Sequence, residues 1–437
     1  MYSKAVHSRF RPGAAAPRKR ARSEPPPQHW GPVVRYTNCR IVRDHKLLEE
    51  DLWAQGGVIV DPQRLFWEGR QADETVDCEG MILAPGYIDL QLNGGFGADF
   101  STEKGVGAAV ETVSQGVLQH GVTAYVATVI TSSPEAYATI LPHLTPRAGR
   151  KATPTLAGAA AMLGVHLEGP FISRGKSGCH PLCYVQDEAP QGGATLLRGV
   201  YNEHLAHVRI VTLAPELPGA DEIIDELVAR KIVVALGHSS ASVAQTEAAV
   251  LRGATMCTHM FNAMPPFSAR EPGVIGALGL TSRRPFFGLI ADGVHVHPAS
   301  LKIAAAARRD RVVLVTDAMA AMGLPQGTYR LGDVSVVVSE KEGTLRATRE
   351  GSETLAGAVV SMDECVRRYR EYCDASVVEA VEAATLHPAQ ALGIDGSKGS
   401  LAIGADADLV LLDDELRVQR TYVGGSLAWQ RRDAGAA

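Results

Sequence analysis

The stretch IVVALGHSSASVAQTEAAVLRGATMCTHMFN (232–262) predicts the core of the fold. It begins with a short apolar run that ends at His238, continues with a segment of helical spacing (241–253), and returns to a second apolar run that ends at His259. A strand, a helix and a second strand in this order are typical of parallel strands joined by a crossover. The stretch therefore predicts one unit of a parallel α/β sheet.

The same unit recurs along the middle of the chain. Short apolar runs that end in polar residues alternate with amphipathic stretches such as GADEIIDELVAR (219–230). About eight runs of this kind occur, namely YIDLQLN, TAYVATVI, GVHLEG, RIVTLAPE, IVVALGHS, TMCTHMFN, FGLIADGVH and VVLVTDAM. The repeat count indicates a (β/α)₈ barrel, in which the chemistry lies at the carboxyl ends of the strands.

The two ends of the chain have a different character. Short alternating segments follow residue 32, and GSLAIGADADLVLLDDELRVQRTYVGGSLAW near the other end resembles them, which favours antiparallel β-structure. We expect one small β-sandwich domain made of 33–84 and 395–433, around a catalytic barrel of 85–394. Residues 1–32 combine basic residues with a Pro run, which indicates a disordered tail.

Composition excludes several functions. The 437 residues are 46% hydrophobic and 21% charged, as in ordinary soluble proteins. The formal charge of −5 gives no extended basic field, so nucleic acid is not an expected partner, and no apolar run could span a bilayer. Seven scattered cysteines indicate reduced thiols and a cytoplasmic protein. The basic run PRKRAR (17–22) leaves nuclear import or a transit peptide open, whereas a conventional secretory signal is excluded.

Three polar residues at the ends of predicted strands form a candidate metal site. Glu168 ends GVHLEG, and a carboxylate in a barrel mouth is costly without a compensating positive charge. One carboxylate with two imidazoles is a common ligand set for a catalytic zinc-like ion that keeps a position open for water. We predict one divalent metal, zinc, on Glu168, His238 and His259. The alternative is that each residue is an ordinary hydrogen-bonded group at a strand end.

Two further residues lie close to this site in the predicted barrel. Asp317 ends the last run, where a carboxylate can take a proton from activated water and return it to a leaving group, unless it only caps the following turn. His166 shares a strand face with Glu168 and fits equally a support behind the metal or a satisfied core histidine. The run Cys179-His180-x-x-Cys183 could also suggest zinc, but a second ligand pair is not apparent.

Longer motifs resemble the N-acetylglucosamine-6-phosphate deacetylase family of the amidohydrolase superfamily over nearly all of the chain after the tail. They are PGYIDLQLNGGFG (85–97), HLEGPFI (166–172), GHSSAS (237–242), THMFNAMPPFSAREPG (258–273), IADGVHV (290–296), LVTDAMAAMG (314–323), TLAGAV (354–359) and KGSLAIGADADLVLLD (398–413). The resemblance implies hydrolysis of N-acetyl-D-glucosamine 6-phosphate to D-glucosamine 6-phosphate and acetate, in amino-sugar catabolism and recycling. Asp317 would be the general base and acid.

One departure discriminates within the superfamily. Many members carry His-x-His at the end of the first strand, whereas this chain has Gln91-x-Asn93. Amides are poor zinc ligands, so the two residues would support a single metal rather than bind a second one. This pattern resembles the deacetylase branch and argues against hydantoinase-like or dihydroorotase-like two-metal chemistry.

The resemblance also implies the substrate contacts. Cys179 and His180 would bind the substrate, and His180 would hold or polarise it near its carbonyl or an adjacent hydroxyl, although the surrounding loop GKSGCH departs from the usual Lys-Lys-Gly-x-His run. Phosphate donors would be Arg270, His295 and the backbone at Asn262 and Ala263, with Arg270 and His295 reaching the site of a neighbouring subunit in a homodimer. Two turns would line the sugar, made of Asp292, Gly293, Val294 and His295 and of Leu355, Ala356 and Gly357.

Two other classes of function stay open from the residues alone. A different amide or cyclic-amide hydrolase on the same barrel would not need a 6-phosphate. A non-catalytic barrel used as an assembly scaffold would lack the metal set. The complete constellation of Glu168, His238, His259 and Asp317 weighs against the scaffold.

Overall fold

The computed structural model describes residues 31–187, 192–201, 204–281 and 283–432, so nearly all of the predicted tail lies outside the described residues. The strands of the described part are β1 (Val33–Thr37), β2 (Arg40–Arg43), β3 (Lys46–Glu49), β4 (Leu52–Gln55), β5 (Val58–Ile59), β6 (Glu74–Asp77), β7 (Ile82–Pro85), β8 (Tyr87–Leu92), β9 (Gly94–Gly95), β10 (Ala98–Asp99), β11 (Val122–Ile130), β12 (Ala161–Glu168), β13 (Val208–Leu213), β14 (Val233–Leu236), β15 (Met256–Cys257), β16 (Phe286–Leu289), β17 (Val312–Leu314), β18 (Gly327–Leu331), β19 (Val334–Lys341), β20 (Thr344–Arg349), β21 (Leu409–Leu412), β22 (Val418–Val423) and β23 (Ser426–Gln430). The α-helices are α1 (Pro62–Trp67), α2 (Val106–Gly116), α3 (Pro134–Ile140), α4 (Gly193–Tyr201), α5 (Ala220–Ala229), α6 (Val243–Arg252), α7 (Pro298–Arg308), α8 (Met362–Tyr372), α9 (Val377–Glu382) and α10 (Leu386–Leu392).

The eight predicted apolar runs form the eight strands of one parallel sheet, in the order β8, β11, β12, β13, β14, β15, β16, β17. All neighbouring pairs in this sheet are parallel. A parallel bridge between Leu92 and Ala318 joins the two ends of the sheet and closes the barrel. Strands such as β8 and β11 are buried throughout, as expected for strands covered on both faces. The predicted (β/α)₈ barrel is confirmed.

Most crossovers contain an α-helix, as the spacing predicts. The segments 219–230 and 241–253 form α5 and α6. Ser242 begins α6 with a capping box, because its side chain accepts the N–H of Gln245 while the Gln245 side chain accepts the N–H of Ser242. The crossover between β15 and β16 differs, since it contains the 3₁₀ segment Gly273–Gly279. Among the described residues, no helix is long and apolar enough to cross a bilayer.

Both ends of the chain build a β-sandwich beside the barrel. One sheet has the order β5, β4, β1, β6, and the other has the order β23, β22, β21, β7, β2, β3, so the second sheet contains strands from both ends. Tyr36, Leu52, Leu83, Leu411 and other buried side chains from both sheets form one apolar cluster. The predicted sandwich is confirmed, and we propose 33–84 with 395–433 as its domain boundaries around 85–394.

The antiparallel prediction for these segments is wrong for two strand pairs. β1 pairs in parallel with β6, and β2 pairs in parallel with β7. The connection from β1 to β2 crosses from one sheet to the other, and the connection from β6 to β7 crosses in the same direction. The two strands that meet in each sheet therefore run the same way.

A three-stranded sheet outside the barrel and the sandwich was not predicted. β18, β19 and β20 form an antiparallel meander inserted between β17 and α8. Its apolar side packs with residues from the barrel mouth, including Ile130, Cys179 and Met319. The sequence carries a usable signal, because GTYRLGDVSVVVSEKEGTLRATR (327–349) alternates in polarity and has Gly-Asp and Glu-Gly turns.

We predict that Leu411→Ala lowers the free energy of unfolding by about 2–5 kcal/mol, because Leu411 is fully buried in the sandwich and its removal leaves a cavity. The exposed Ile403, 64% accessible, is the matched control, and Ile403→Ala should change stability by less than about 0.5 kcal/mol. Urea unfolding monitored by circular dichroism measures both. Equal effects of the two substitutions would contradict the assignment of Leu411 to a packed core.

Candidate metal centre and substrate pocket

A cavity of about 350 Å³ opens at the carboxyl ends of the barrel strands. Its wall combines strand ends with loops that cross the barrel mouth. The lining residues are Asn93, Ile130, Glu168, Gly178, Cys179, His180, His238, His259, Asn262, Ala263, His295, Asp317, Leu331, Glu353, Thr354, Leu355 and Gly357. The structure therefore brings the predicted metal ligands, the predicted base and several predicted substrate contacts into one cavity.

Glu168, His238 and His259 converge at the floor of this cavity. Oε1 of Glu168 lies 3.1 Å from Nε2 of His238 and 3.0 Å from Nε2 of His259, and the two Nε2 atoms are 3.1 Å apart. All three side chains are buried. Among the described residues, these three form the one His, Cys, Asp and Glu group close enough to share a metal ion.

The hydrogen bonds of His238 indicate what this cluster fits. Nδ1 of His238 donates to the carbonyl of Lys176 at 2.8 Å, so in a neutral ring Nε2 carries a lone pair. That lone pair meets the Glu168 oxygen and Nε2 of His259, an arrangement that is repulsive unless positive charge lies among the three atoms. Nδ1 of His259 is buried without a hydrogen-bond partner among the described residues. The donor set fits a divalent cation such as zinc, which prefers imidazole and carboxylate.

The electrostatics of the cluster also favour positive charge beside Glu168. Burial alone would raise the pKa of Glu168, but the close contacts with His238 and His259 hold that pKa well below its usual range. Burial would lower the pKa of His259, yet its contact with Glu168 raises it. The buried carboxylate is thus stable only as an anion with a cationic partner.

Two amides hold Asp317 at the edge of the cluster. Nδ2 of Asn93 donates to Oδ1 of Asp317 at 2.8 Å, and Nε2 of Gln91 donates to the same oxygen at 3.1 Å. Gln91 also donates to Oε1 of Glu168 at 3.0 Å. Burial and the charge of Glu168 raise the pKa of Asp317 to about 6. Amides therefore fix Oδ1 of Asp317, whereas Oδ2 takes no part in these hydrogen bonds.

Three of the key residues have unusual backbone conformations. His238, His259 and Asp317 have φ angles of 49°, 23° and 50°, in a region that non-glycine residues seldom adopt. Each residue lies two or three positions beyond the end of a barrel strand, where the chain turns away from the sheet. Such conformations cost about 1–3 kcal/mol each and cluster at functional sites, where the surrounding packing enforces them.

His180 is buried beside the cluster in a defined orientation. The backbone N–H of Thr131 donates to Nδ1 of His180 at 3.3 Å, and the Thr131 hydroxyl lies 2.8 Å from the same atom. Burial and the neighbouring His238 lower the pKa of His180 to about 3, so the ring is neutral. Its proton then resides on Nε2, which lies 3.8 Å from Oε2 of Glu168. Thr131 was not identified from the sequence.

Two sequence-based alternatives concern the role of His166 and a possible zinc site at Cys179 and Cys183. Nδ1 of His166 donates to the carbonyl of Leu90 at 3.0 Å, and its Nε2 accepts a hydrogen bond from the Thr212 hydroxyl at 2.7 Å. Burial lowers its pKa to about 4, so His166 is a satisfied neutral core histidine and bonds to none of the cluster. Cys179 lines the cavity while Cys183 is exposed, and these thiols join no metal-binding group among the described residues.

The predicted phosphate contacts are divided between two places. Asn262, Ala263 and His295 line the cavity of their own chain. His295 thus lies in the cavity of its own chain, and its predicted reach to the site of a neighbouring subunit stays a prediction. Arg270 is exposed and does not line the cavity.

The two predicted sugar-lining turns contribute unequally. Leu355 and Gly357 line the cavity, whereas Ala356 is buried in the apolar cluster behind it. Asp292 is 6% exposed and does not line the cavity, because its carboxylate accepts hydrogen bonds from its own turn. Leu331, Glu353 and Thr354 also line the cavity and were not predicted from the sequence. They lie in or after the unpredicted meander.

Residues 82–428 match the amidohydrolase family. The chain therefore belongs to this family, whose metal-dependent hydrolases agree with the ligand set at the cavity floor. The match covers the barrel together with sandwich strands from both ends of the chain.

Within this family, the chain is similar to several deacetylases of phosphorylated amino sugars. N-acetylglucosamine-6-phosphate deacetylase of Homo sapiens is 49% identical over 405 residues, which are 91% of this chain and 96% of the relative. The enzyme of the same name from Rattus norvegicus is 48% identical over 412 residues, or 92% of this chain and 97% of the relative. A mutant of the Mycobacterium smegmatis N-acetyl-D-glucosamine-6-phosphate deacetylase, solved in complex with N-acetyl-D-glucosamine-6-phosphate, is 31% identical with a TM-score of 0.76, covering 91% of this chain and 98% of that one. The resemblance to these deacetylases is confirmed.

We predict that His238→Ala and His259→Ala each lower bound metal and activity together, because three protein ligands leave no redundancy. Metal content of purified protein, measured by inductively coupled plasma mass spectrometry, tests this. The matched control is His166→Gln, which changes a buried histidine outside the cluster and should keep the metal. Full metal occupancy in both alanine variants would refute the ligand assignment.

Proposed function

We propose that the chain hydrolyses N-acetyl-D-glucosamine 6-phosphate to D-glucosamine 6-phosphate and acetate, in the catabolism and recycling of amino sugars. The observation that carries this proposal is the convergence of Glu168, His238 and His259 beside an amide-held Asp317 in one cavity. The solved relative that is 31% identical holds this phosphorylated sugar, which supports the substrate class.

The residues of the chain have separate roles in this proposal. Glu168, His238 and His259 would hold one divalent ion, zinc by donor preference, which polarises the acetyl carbonyl and lowers the pKa of water. Asp317 accepts the proton of the attacking water on its free oxygen and passes it to the departing amine. Gln91 and Asn93 keep the other oxygen of Asp317 in place.

His180 and the phosphate donors position the substrate. The Nε2–H of His180 is a neutral donor beside Glu168, suited to the acetyl carbonyl or an adjacent hydroxyl. His295 and the backbone at Asn262 and Ala263 line the same cavity and would receive the phosphate. Arg270 would complete the phosphate site from a second subunit of a homodimer, consistent with its exposure.

Acetate release from a substrate panel tests this function. Purified protein is stripped with a chelator, reloaded with zinc, and assayed with N-acetyl-D-glucosamine 6-phosphate, its galactose epimer, unphosphorylated N-acetyl-D-glucosamine and a cyclic amide. Zinc-dependent release of acetate, with strong preference for the phosphorylated sugars, is the expected result. Hydrolysis of the cyclic amide without such a preference would favour the rival hydrolase, and inactivity of the reloaded protein would favour the scaffold.

We predict that Asp317→Asn keeps the metal and the fold but lowers kcat by about 10²–10⁴-fold, because an amide is nearly isosteric and cannot accept and return the proton. Single-turnover acetate release measures the chemical step, and metal content is the control. Near-normal kcat with full metal occupancy would show that another group is the base.

We predict that Arg270→Ala mainly raises KM for the phosphorylated sugar, because the lost contact stabilises the bound substrate and the transition state alike. A mixture with Asp317→Asn subunits tests the dimer. One hybrid site then has an intact base from the first subunit and an intact arginine from the second, so activity at substrate concentrations below the raised KM should increase on subunit exchange. If exchange is confirmed and activity does not recover, Arg270 does not act across subunits.

A further inference from the structure

The turn that carries His295 contains a carboxylate engaged inside the turn. Oδ1 of Asp292 accepts the backbone N–H groups of Val294 and His295, each at 2.8 Å. Oδ2 of Asp292 lies 2.6 Å from Nδ1 of His295. Both side chains are 7% exposed. Both carboxylate oxygens thus accept hydrogen bonds within the turn. This explains why Asp292, contrary to the prediction, does not line the cavity.

Helix α8 holds this turn from behind. Nη1 of Arg368 donates to the backbone carbonyl of Asp292, and Nη2 donates to Glu364 one helical turn earlier. Gly293 has a φ of 73°, and a Cβ there would lie 3.2 Å from the hydroxyl of Tyr372, also on α8. Main chain and carboxylate are therefore both fixed before any substrate arrives.

This geometry determines which atom of His295 can meet a ligand. The carboxylate accepts only, so Nδ1 of His295 donates its proton to Asp292. The structure gives Nε2 no protein hydrogen-bond partner among the described residues, and the ring lines the cavity. Burial would raise the pKa of Asp292, but its contact with His295 holds that pKa below the usual value, so Asp292 is an anion at neutral pH.

We propose that Asp292 is a positioning residue, which accepts the Nδ1 proton of His295 and thereby fixes the ring with Nε2 facing the substrate phosphate. A carboxylate behind a histidine sets the orientation and basicity of the ring. A fixed ring orientation suits a contact with phosphate, because hydrogen bonds weaken steeply away from their preferred geometry. This inference rests on the proposed function, because the phosphate belongs to the proposed substrate.

The substitution Asp292→Asn tests the role directly. Asparagine keeps an oxygen for the two backbone N–H groups, but it removes the charge and turns a donor toward Nδ1 of His295. We expect kcat/KM for N-acetyl-D-glucosamine 6-phosphate to fall about tenfold through KM, with kcat nearly unchanged, since the His295 ring loses its fixed orientation toward the phosphate and that hydrogen bond weakens. The value of kcat/KM for unphosphorylated N-acetyl-D-glucosamine should stay the same.

The matched control is Glu364→Gln, which changes a carboxylate to an amide in the same network without touching His295. It should leave the preference for the phosphorylated sugar unchanged. A double-mutant cycle with His295→Gln adds a second readout, because Asp292→Asn should have no further effect once the imidazole is gone.

Several outcomes would overturn the inference. Equal losses for both sugars would mean that Asp292 only supports the fold, and multiplying effects in the double variant would mean that it acts independently of His295. If Asp292→Asn does not fold, Asp292→Glu decides, with the expected loss again confined to the phosphorylated sugar. A wild-type protein without phosphate preference would reject the proposed function as well, whereas wild-type preference that survives Asp292→Asn would reject this inference alone.

Discussion

The contact of the Glu168 carboxylate with the Nε2 atoms of His238 and His259 is the interaction on which the site depends. A carboxylate at the floor of a barrel has lost most of its hydration, and this loss must be offset by charge. The two imidazoles come from the successive strands β14 and β15, which the parallel sheet places side by side. The barrel therefore brings together three groups that are stable together only around a positive charge.

The amides Gln91 and Asn93 at the end of β8 orient a carboxylate. Gln91 and Asn93 donate to Asp317, and Gln91 also reaches Glu168, so the position that holds metal-binding histidines in many amidohydrolases here orients a carboxylate. The two amides belong to the strand that closes the barrel against the segment after β17. The contact that closes the barrel therefore also places Asp317 beside the two amides.

Much of this arrangement follows from the sequence, because local patterns carry it. The eight apolar runs predicted the strands, and the polar residue at the end of each run predicted the cluster, since parallel strands place their carboxyl ends together. Features that depend on contacts between distant segments were not predictable in this way. The parallel pairing of β1 with β6 requires two connections that cross between sheets in the same direction. The position of Ala356 behind the cavity wall likewise depends on packing against distant segments, which spacing does not encode.

Anomalous diffraction from crystals of the zinc-reloaded protein is the direct test of whether Glu168, His238 and His259 bind the metal. Data collected on both sides of the zinc absorption edge locate the ion without reference to any assumed ligand. We expect a single peak at about 2.0–2.2 Å from a carboxylate oxygen of Glu168 and from Nε2 of both His238 and His259. A peak held by other residues, such as Cys179 and Cys183, or the absence of any peak at the cavity floor in active protein, would contradict it.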